Sequence, residues 1–290
     1  MNCFSINYDE PLFRPPAEAN SLILQITFGC SWNKCSFCEM YTSKTFKIKN
    51  EEDIVKEINA IAKSHSETRK IFLADGNPMV LSTKRLLTIL SSINKTFHKV
   101  RRVSTYALPS NILSKSIEEL IELKEAGLNM LYVGIESGDD EVLNMVNKGE
   151  SNSTTTEGLL KAKQAGIKLS VIILNGLGGK KYSNQHAVNS AKIVNLIKPE
   201  FLSVLVLSFP FGIKRFTERF NGEYIPMNIA ELLKEMEIFI SHTDLENTIF
   251  RSNHASNYLV LEGILPRNKQ QFIEQINFAI NNPKIAKLRA

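Results

Sequence analysis

Short apolar runs alternate with amphipathic segments six times between residues 21 and 209. The runs are rich in β-forming residues and continuously apolar, which is typical of strands buried on both faces of a parallel sheet. The intervening segments repeat apolar residues every three or four positions, as amphipathic helices do. We therefore predict strands at 21–29, 69–76, 100–108, 130–138, 167–176 and 201–209.

Capping signals mark the ends of the helices between these strands. Ser116 with Glu119, and Thr154 with Glu157, have the spacing of a capping box at a helix start. Glycine and proline are the usual residues just beyond a helix end. The expected stops are Gly127, Gly166 and Pro199.

Six consecutive βα units predict an α/β fold with a parallel sheet and right-handed crossovers. Because eight units are needed to close a full barrel, we expect a partial (βα)6 parallel barrel over residues 21–210. Residues 1–20 are expected to form an N-terminal arm. Residues 211–290 break the alternation, with helices expected near 228–240 and from Asn268, and are predicted to form a C-terminal α+β extension.

Composition and charge limit the classes of protein to which the chain can belong. The N-terminal residues lack the pattern of a signal peptide, and no window approaches the roughly 18 apolar residues of a membrane helix. The net charge is +5, with Lys and Arg spread along the chain, which favours a solvated surface over a nucleic-acid-binding stripe. We therefore expect a cytoplasmic protein whose partners are neither membranes nor nucleic acids.

Three of the four cysteines, Cys30, Cys35 and Cys38, lie together just after the first predicted strand. In a cytosolic chain such a group indicates a metal site or redox chemistry. Structural zinc takes four protein ligands, and no histidine lies nearby, although Cys3 could complete a site in space. A cubane iron–sulfur cluster held by three thiolates would instead leave one iron open to a small molecule.

The loop Cys30-SWNK-Cys35-SF-Cys38 resembles the cluster motif of the radical S-adenosylmethionine (radical SAM) superfamily, whose usual spacing is three residues and then two. The resemblance implies a [4Fe–4S] cluster on these three cysteines, S-adenosylmethionine (SAM) at the open iron, and no role for Cys3. It also implies reductive cleavage of SAM to a 5′-deoxyadenosyl radical that abstracts hydrogen from a substrate. An electron donor such as flavodoxin or ferredoxin would supply the electron.

Further stretches stand where this family binds its cofactor. "DGNP" follows the second strand in place of a Gly-Gly-Glu-like turn, and "LNGLGG" ends the fifth, although each alone is an ordinary strand-to-helix turn. "GIESGDDEVLNMVNKG" resembles a segment of oxygen-independent coproporphyrinogen oxidases. By residue type alone, a phenylalanine such as Phe37 is more often a core residue, and Glu136 could cap the following helix. The cofactor-binding residues implied by the resemblance are Phe37, Gly76, Asn77, Pro78, Ser104, Tyr106, Glu136, Ser137, Asn175 and Gly176.

Substrate residues are expected on the cysteine loop, the strand ends and the C-terminal extension. No accessory domain or second cysteine group is visible, so a small free metabolite is the simplest substrate. A deazaguanine-type base would need a carboxylate for its N–H donors and an aromatic ring, such as Tyr41 or Phe211, for stacking. "RSNHASNY", which begins at Arg251, equally suits a turn bonded to itself. The candidates are Glu39, Asp75, Asn253, His254 and Asn257, and Glu18 is expected to point inward from the arm.

Two other functions stay open on the sequence alone. One is a radical SAM enzyme that modifies RNA, which the positive net charge mildly favours, or a porphyrin-type oxidoreductase. The other is a zinc-stabilised binding protein without redox chemistry, in which the cysteines only hold a structural ion.

Overall fold

The computed structural model describes residues 8–287 and divides the chain into two compact units. Both units are discontinuous in sequence, and the cysteine loop contributes residues to each. The first unit comprises the residues up to 33, 38–133 and 158–169, and the second comprises 34–37, 134–157 and the residues from 170 onward.

Strands and helices alternate along the described residues. The strands are β1 (Leu22–Gln25), β2 (Thr27–Phe28), β3 (Lys47–Ile48), β4 (Lys70–Ala74), β5 (Arg102–Tyr106), β6 (Leu128–Glu136), β7 (Lys168–Asn175), β8 (Phe201–Val206), β9 (Thr248–Arg251) and β10 (Glu262–Leu265). The helices are α1 (Glu51–Ala62), α2 (Thr83–Thr96), α3 (Pro109–Leu113), α4 (Ile117–Glu125), α5 (Asp140–Met145), α6 (Asn152–Gln164), α7 (Gly179–Ile197), α8 (Lys214–Arg219), α9 (Ile229–Ser241) and α10 (Lys269–Asn281).

Eight of the strands form one sheet in the order β1-β4-β5-β6-β7-β8-β9-β10. The pairs β1–β4, β4–β5, β5–β6, β7–β8 and β8–β9 are parallel, and β10 runs antiparallel to β9. The prediction of an α/β fold built on parallel βα units is confirmed. The predicted strands follow one another in the sheet order, and within each of these parallel pairs the two carboxyl ends lie at the same edge.

The first predicted strand is interrupted. The amide of Ile26 donates to the carbonyl oxygen of Ala74 at 2.6 Å, where β1 ends beside β4. The next two residues, β2, leave the main sheet and pair antiparallel with β3. A single strand over 21–29 was therefore wrong, because an apolar run does not tell which partner strand each half will pair with.

Several predicted helix ends are confirmed. At the start of α4, Ser116 Oγ accepts a hydrogen bond from Glu119 N at 3.1 Å, and Ser116 N donates to Glu119 Oε2 at 2.7 Å. Gly127 and Gly166 follow α4 and α6 with positive φ, in the left-handed region that glycine adopts without strain. Helix α7 ends just before Pro199.

The start of α6 differs from the prediction. Thr154 N donates to Ser151 Oγ at 3.1 Å, and Ser151 N donates to Thr154 Oγ1 at 2.9 Å, so the reciprocal cap uses this pair. The predicted partner Glu157 instead accepts a hydrogen bond from Ser153 Oγ at 2.6 Å. Five hydroxyl residues stand between positions 151 and 156, and capping-box spacing alone does not select among them.

The residues after 210 combine helices and strands, as expected. Strand β9 adds to the main sheet beside β8, and β10 follows as its last strand. Helix α9 packs against both α7 and α10. Residues 250–263 hold the end of β9 and the start of β10. Their polar residues cluster in the turn between the two strands.

No helix among residues 8–287 combines the length and the apolar character that crossing a bilayer requires.

In the first unit, Glu18 is fully buried, which is the inward orientation expected for it. Its Oε1 accepts hydrogen bonds from Arg102 Nη2 at 2.7 Å and from Tyr132 Oη at 2.6 Å, and Ser21 Oγ donates to Oε2. A buried carboxylate is tolerated only when charge and hydrogen bonds compensate its lost hydration. Glu18 therefore ties the N-terminal segment to strands β5 and β6.

We expect Glu18→Leu to lower the free energy of unfolding by about 2–3 kcal/mol, because it leaves Arg102 and Tyr132 without their acceptor. Equilibrium urea unfolding measures the change. Glu67→Gln is the matched control, since Glu67 pairs with Lys99 on the exposed surface and its loss should leave stability unchanged. Equal effects of the two substitutions would contradict the assigned role of Glu18.

Candidate active site

The turn after β4 lies directly against the start of the cysteine loop. Gly76 N donates to the carbonyl oxygen of Gly29 at 3.1 Å. A Cβ added to Gly76 would lie 2.9 Å from Cys30 Cβ and 2.8 Å from the ring of Tyr41, closer than real Cβ atoms approach. Gly76 is therefore the residue that lets the "DGNP" turn contact Cys30.

Asp75 holds both ends of this loop. Its buried Oδ2 accepts hydrogen bonds from Gly29 N at 3.1 Å and from Lys44 Nζ at 2.8 Å. Gln25 Nε2 donates to the same oxygen at 3.2 Å, and Asp75 N donates to Thr27 Oγ1 at 3.0 Å. These contacts make Asp75 an anchor of the loop, and its role toward a substrate stays a prediction.

Asn77 joins the cysteine loop to the turn after β5. Its Nδ2 donates to Ser31 Oγ at 2.7 Å and also to Asn111, and its Oδ1 accepts from Leu108 N at 3.3 Å. Pro78 opens a short 3-10 turn directly behind it. The side chain of Asn77 is thus occupied by protein partners, and cofactor binding by this turn stays a prediction.

Tyr106 brings strand β5 to the same region. Its ring packs edge-on against Phe72 with centroids 5.1 Å apart, and its neighbour Ser104 is fully buried. Burial raises the pKa of Tyr106 well above its ordinary value, and Cys38 and Asp75 are among the groups that add to the rise. Tyr106 therefore lies within electrostatic reach of the cysteine loop and the "DGNP" turn.

The middle of the cysteine loop, residues 34–37, belongs to the second unit and is held by its backbone. Ser36 N donates to the carbonyl oxygen of Val146 at 2.9 Å. Arg215 Nη1 donates to the carbonyl oxygen of Ser36 at 2.8 Å, and Asn147 Nδ2 donates to that of Lys34 at 3.4 Å. The segment that carries Cys35 is thereby fixed to the ends of α5 and α8. No motif in the sequence pointed to Arg215.

Glu136 and Ser137 follow β6 and already have partners. Glu136 has a φ of +64° and pairs with Lys148 Nζ at 3.1 Å. Ser137 Oγ lies 2.8 Å from His186 Nδ1 and accepts a hydrogen bond from Asp139 N at 3.0 Å. The residue that caps α5 is Asp139, whose Oδ1 accepts from Val142 N, so the alternative of Glu136 as the helix cap was wrong.

The turn after β7 is held by hydrogen bonds to the protein, as the turn after β6 is. Asn175 Nδ2 donates to the carbonyl oxygen of Leu232 at 2.9 Å. Gly176 has a φ of +85°, and its carbonyl oxygen accepts a hydrogen bond from Tyr224 Oη at 3.0 Å. Gly176 N donates to Glu235 Oε1 at 2.5 Å. The side-chain amide of Asn175 and both backbone hydrogen-bonding groups of Gly176 thus serve the fold, and cofactor binding by either residue stays a prediction.

Phe37 lies at the border of an apolar cluster in the second unit. The cluster includes Val142, Val146 and Leu177, and Phe37 is partly buried against it. Lys148 Nζ lies 5.8 Å from the centre of the Phe37 ring. Its ring therefore takes part in core packing, and stacking on adenine stays a prediction.

The polar residues near the end of β9 form a turn bonded to itself. His254 Nδ1 lies 2.8 Å from Ser256 Oγ, and Asn257 N donates to the carbonyl oxygen of His254 at 3.0 Å. Asn257 Nδ2 donates to the carbonyl oxygen of Val204 at 2.8 Å, whereas Asn253 is exposed and bonded to Glu262. Burial lowers the pKa of His254, which favours its neutral ring. Substrate roles for Asn253, His254 and Asn257 stay predictions.

Glu39 and Tyr41 offer polar atoms that the fold does not use. Glu39 Oε2 is buried and has no hydrogen-bond partner among the described residues. The hydroxyl of Tyr41 faces Asp75 without a well-formed hydrogen bond, and burial raises the Tyr41 pKa far above its usual value. The ring of Tyr41 is buried edge-on against Phe13, whereas Phe211 is 84% exposed.

The donor set of the loop fits an iron–sulfur cluster. Cys30, Cys35 and Cys38 are each partly exposed and none forms a disulfide, so one loop carries three thiols. Within residues 8–287, no group of three or more His, Cys, Asp or Glu side chains is arranged so that it could hold a metal ion. Cys3 lies outside the described residues.

Residues 24–192 match the family model of the radical SAM superfamily, which covers more than half of the chain. The chain therefore belongs to the radical SAM superfamily and is an enzyme of that class. Enzymes of this superfamily use a [4Fe–4S] cluster and SAM.

Solved structures with a similar fold include two named radical SAM or related enzymes. Coproporphyrinogen III oxidase (HemN) from Escherichia coli gives a TM-score of 0.58 at 15% identity, covering 88% of this chain and 69% of that one. Methylornithine synthase (PylB) gives 0.53 at 15% identity, covering 89% and 81%. At this identity the likeness shows the fold, and it confirms the predicted architecture of a radical SAM partial barrel.

Similarity in sequence extends to proteins with different activities. The heme chaperone HemW of Bacillus subtilis is 28% identical over 137 residues, which are 46% of this chain and 36% of HemW. GTP 3′,8-cyclase of Rhizobium etli is 24% identical over 261 residues, covering 87% of this chain and 68% of the cyclase. The chain thus spans little more than a third of HemW, and the relatives do not share one reaction.

We expect Arg215→Gln to weaken the hold on the Cys35 segment and to speed the loss of iron to a chelator about tenfold. The reason is that a hydrogen bond from a charged donor contributes about 1.5–3 kcal/mol. Arg219→Gln, one turn later on the same short helix and exposed, is the control and should leave iron retention unchanged. Anaerobic iron release after reconstitution is the measurement, and equal rates for both variants would argue against the contact.

Proposed function

We propose that this chain reductively cleaves SAM at a [4Fe–4S] cluster bound by Cys30, Cys35 and Cys38, and uses the resulting radical to abstract hydrogen from a small metabolite. Family membership supports the cofactors. The proposal keeps the expected division into an arm at 1–20, a barrel at 21–210 and an extension at 211–290, and an electron donor such as flavodoxin or ferredoxin.

The protein's own residues would position and shield the cofactor, which carries the radical chemistry. Asp75 and Lys44 fix the two ends of the cysteine loop, and Arg215 fixes its middle. Gly76 and Gly176 would belong to the cofactor-binding turns, and their missing side chains let those turns pack against Cys30 and Leu232. In this proposal Phe37, Asn77, Pro78, Ser104, Tyr106, Glu136, Ser137 and Asn175 complete the cofactor-binding surface.

For the substrate we propose a deazaguanine-type base, and specifically queuine, which a lyase reaction would split to release 7-aminomethyl-7-deazaguanine (preQ1 base) in queuosine salvage. The observation that carries this choice is Glu39 Oε2, a buried carboxylate oxygen without a hydrogen-bond partner in the described part of the chain. Leaving such an atom unsatisfied costs about 1–3 kcal/mol, which paired N–H donors of a base would recover. The size and layout of the chain also resemble small stand-alone enzymes such as queuine lyase.

A porphyrin substrate is the second candidate within this superfamily. The similarity to HemW and the fold likeness to HemN favour it. A radical SAM enzyme that modifies RNA and a zinc-stabilised binding protein are further outcomes that the experiments below distinguish.

Anaerobic reconstitution tests the cofactor assignment. We expect about four irons with matching sulfide per chain, a brown colour that dithionite bleaches, and 5′-deoxyadenosine on addition of SAM. Cys30→Ala, Cys35→Ala and Cys38→Ala should each lose the cluster, whereas Cys3→Ala should keep it. A colourless protein that holds one zinc ion would refute the assignment.

Substrate identity is tested by supplying queuine, coproporphyrinogen III or unmodified tRNA to the reconstituted enzyme. We expect preQ1 base from queuine, and Glu39→Gln to lower kcat/KM for queuine about 10- to 100-fold because a charged acceptor is lost. SAM affinity should not change in this variant. Glu52→Gln, exposed on α1, is the control. Turnover of tRNA or porphyrin alone would move the assignment to that substrate.

A further inference from the structure

Two ionisable side chains are buried together in the second unit, and the proposed function uses neither. His186 of α7 and Glu235 of α9 are each 1% exposed, with Nε2 of the histidine 3.7 Å from Oε1 of the glutamate. Such a pair contributes little net stability, since desolvation offsets its attraction, but it can fix one arrangement of the groups around it.

On one side the pair contacts the turn after β6. His186 Nδ1 lies 2.8 Å from Ser137 Oγ, which also accepts a hydrogen bond from Asp139 N. If the serine hydroxyl donates to Nδ1, the ring carries its proton on Nε2, the nitrogen that faces Glu235. In that arrangement the hydroxyl hydrogen of Ser137 points at His186 Nδ1.

The same face of α7 holds the next residue of that turn. Ser190, one helical turn after His186, accepts a hydrogen bond from Gly138 N at 2.9 Å. A Cβ on Gly138 would lie 2.2 Å from the carbonyl oxygen of Asn189, so the backbone is in direct contact with the helix. Helix α7 therefore contacts the turn through the side chain of Ser190 and through its own backbone at Asn189.

On the other side the pair contacts the turn after β7. Glu235 Oε1 accepts the hydrogen bond from Gly176 N at 2.5 Å. A Cβ on Gly176 would lie 2.6 Å from Leu232 Cδ2, on the same helix as Glu235. Burial raises the pKa of Glu235 above its ordinary value, and the His186 ring and the Gly176 amide oppose the rise. The Glu235 carboxyl group is thus held between the His186 ring and the Gly176 amide.

We propose that His186 and Glu235 are positioning residues that lock the Ser137 turn and the Gly176 turn into one arrangement for binding SAM. The inference rests on the proposed function, which places both turns at the cofactor. It assigns helix α9, which lies beyond the matched family region, a part in cofactor binding.

The test measures SAM affinity and thermal stability of each reconstituted, iron-loaded variant by anaerobic equilibrium dialysis and thermal unfolding. His186→Leu and Glu235→Met remove the polar contacts and should weaken SAM binding at least about tenfold at unchanged iron content. Glu235→Gln keeps an acceptor for Gly176 N, and His186→Asn keeps a polar atom near the place of Nδ1. Both conservative variants should stay within about threefold of the wild type.

Thr248→Val is the matched control in the same unit. Thr248 is fully buried and its Oγ1 donates to the carbonyl oxygen of Pro199 at 2.8 Å, far in sequence from both turns. This variant should lose thermal stability while its SAM affinity stays unchanged. If His186→Leu does not fold, His186→Gln replaces it, because the longer amide is not placed at Nδ1 and should fail where His186→Asn succeeds.

Three results would overturn the inference: wild-type SAM affinity in His186→Leu and Glu235→Met, no rescue by the conservative variants, or an equal loss in Thr248→Val. Measurements on the wild-type protein distinguish failure of this inference from failure of the proposed function. A wild-type protein that carries about four irons and binds SAM, with variants that bind equally well, rejects only the role of His186 and Glu235. A wild-type protein that binds no SAM rejects both.

Discussion

The carboxylate of Asp75 is the contact on which the cysteine loop depends. One buried oxygen accepts hydrogen bonds from the backbone at the start of the loop and from Lys44 near its end, so residues 29–44 are closed at a single point. Because the carboxylate and the ammonium group are both almost fully buried, their attraction is weakly screened and their direction is fixed by hydrogen bonding. A long loop held in this way can present three thiols without secondary structure of its own.

Asn33 forms a turn among the four residues between the first two cysteines of the loop. Asn33 takes a positive φ, and its Nδ2 donates to the carbonyl oxygen of Tyr41 at 2.9 Å, which turns the chain before Cys35. The next four residues are then held through backbone groups of Ser36, which do not depend on side-chain identity. Asparagine adopts this left-handed conformation at low cost, so the chain can turn between Cys30 and Cys35.

Much of the fold could be predicted from the sequence because apolar runs and caps are local signals. The six parallel strands follow from continuous apolar runs, and Ser116 and Glu119 form the box that their spacing indicates. The break after β1 could not be predicted, since it depends on the partner strand β3. Arg215, His186 and Glu235 were missed for the same reason: each acts through a contact distant in sequence, and no motif marks it. The cofactor contacts of the residues assigned from family resemblance depend on the bound ligand. A sequence pattern does not describe a bound ligand.

The side chains of several assigned cofactor residues are already committed to protein partners. Asn77 uses both its amide nitrogen and its oxygen, and Asn175 uses its amide nitrogen on Leu232. A polar atom already paired gains little by exchanging its partner for a ligand, because the net free energy of a hydrogen bond is small. We therefore propose that these side chains position the backbone of the two turns, and Gly76 and Gly176 let that backbone pack closely against Cys30 and Leu232. The paired side chains, with His186 and Glu235 behind Ser137 and Gly176, hold that backbone in place.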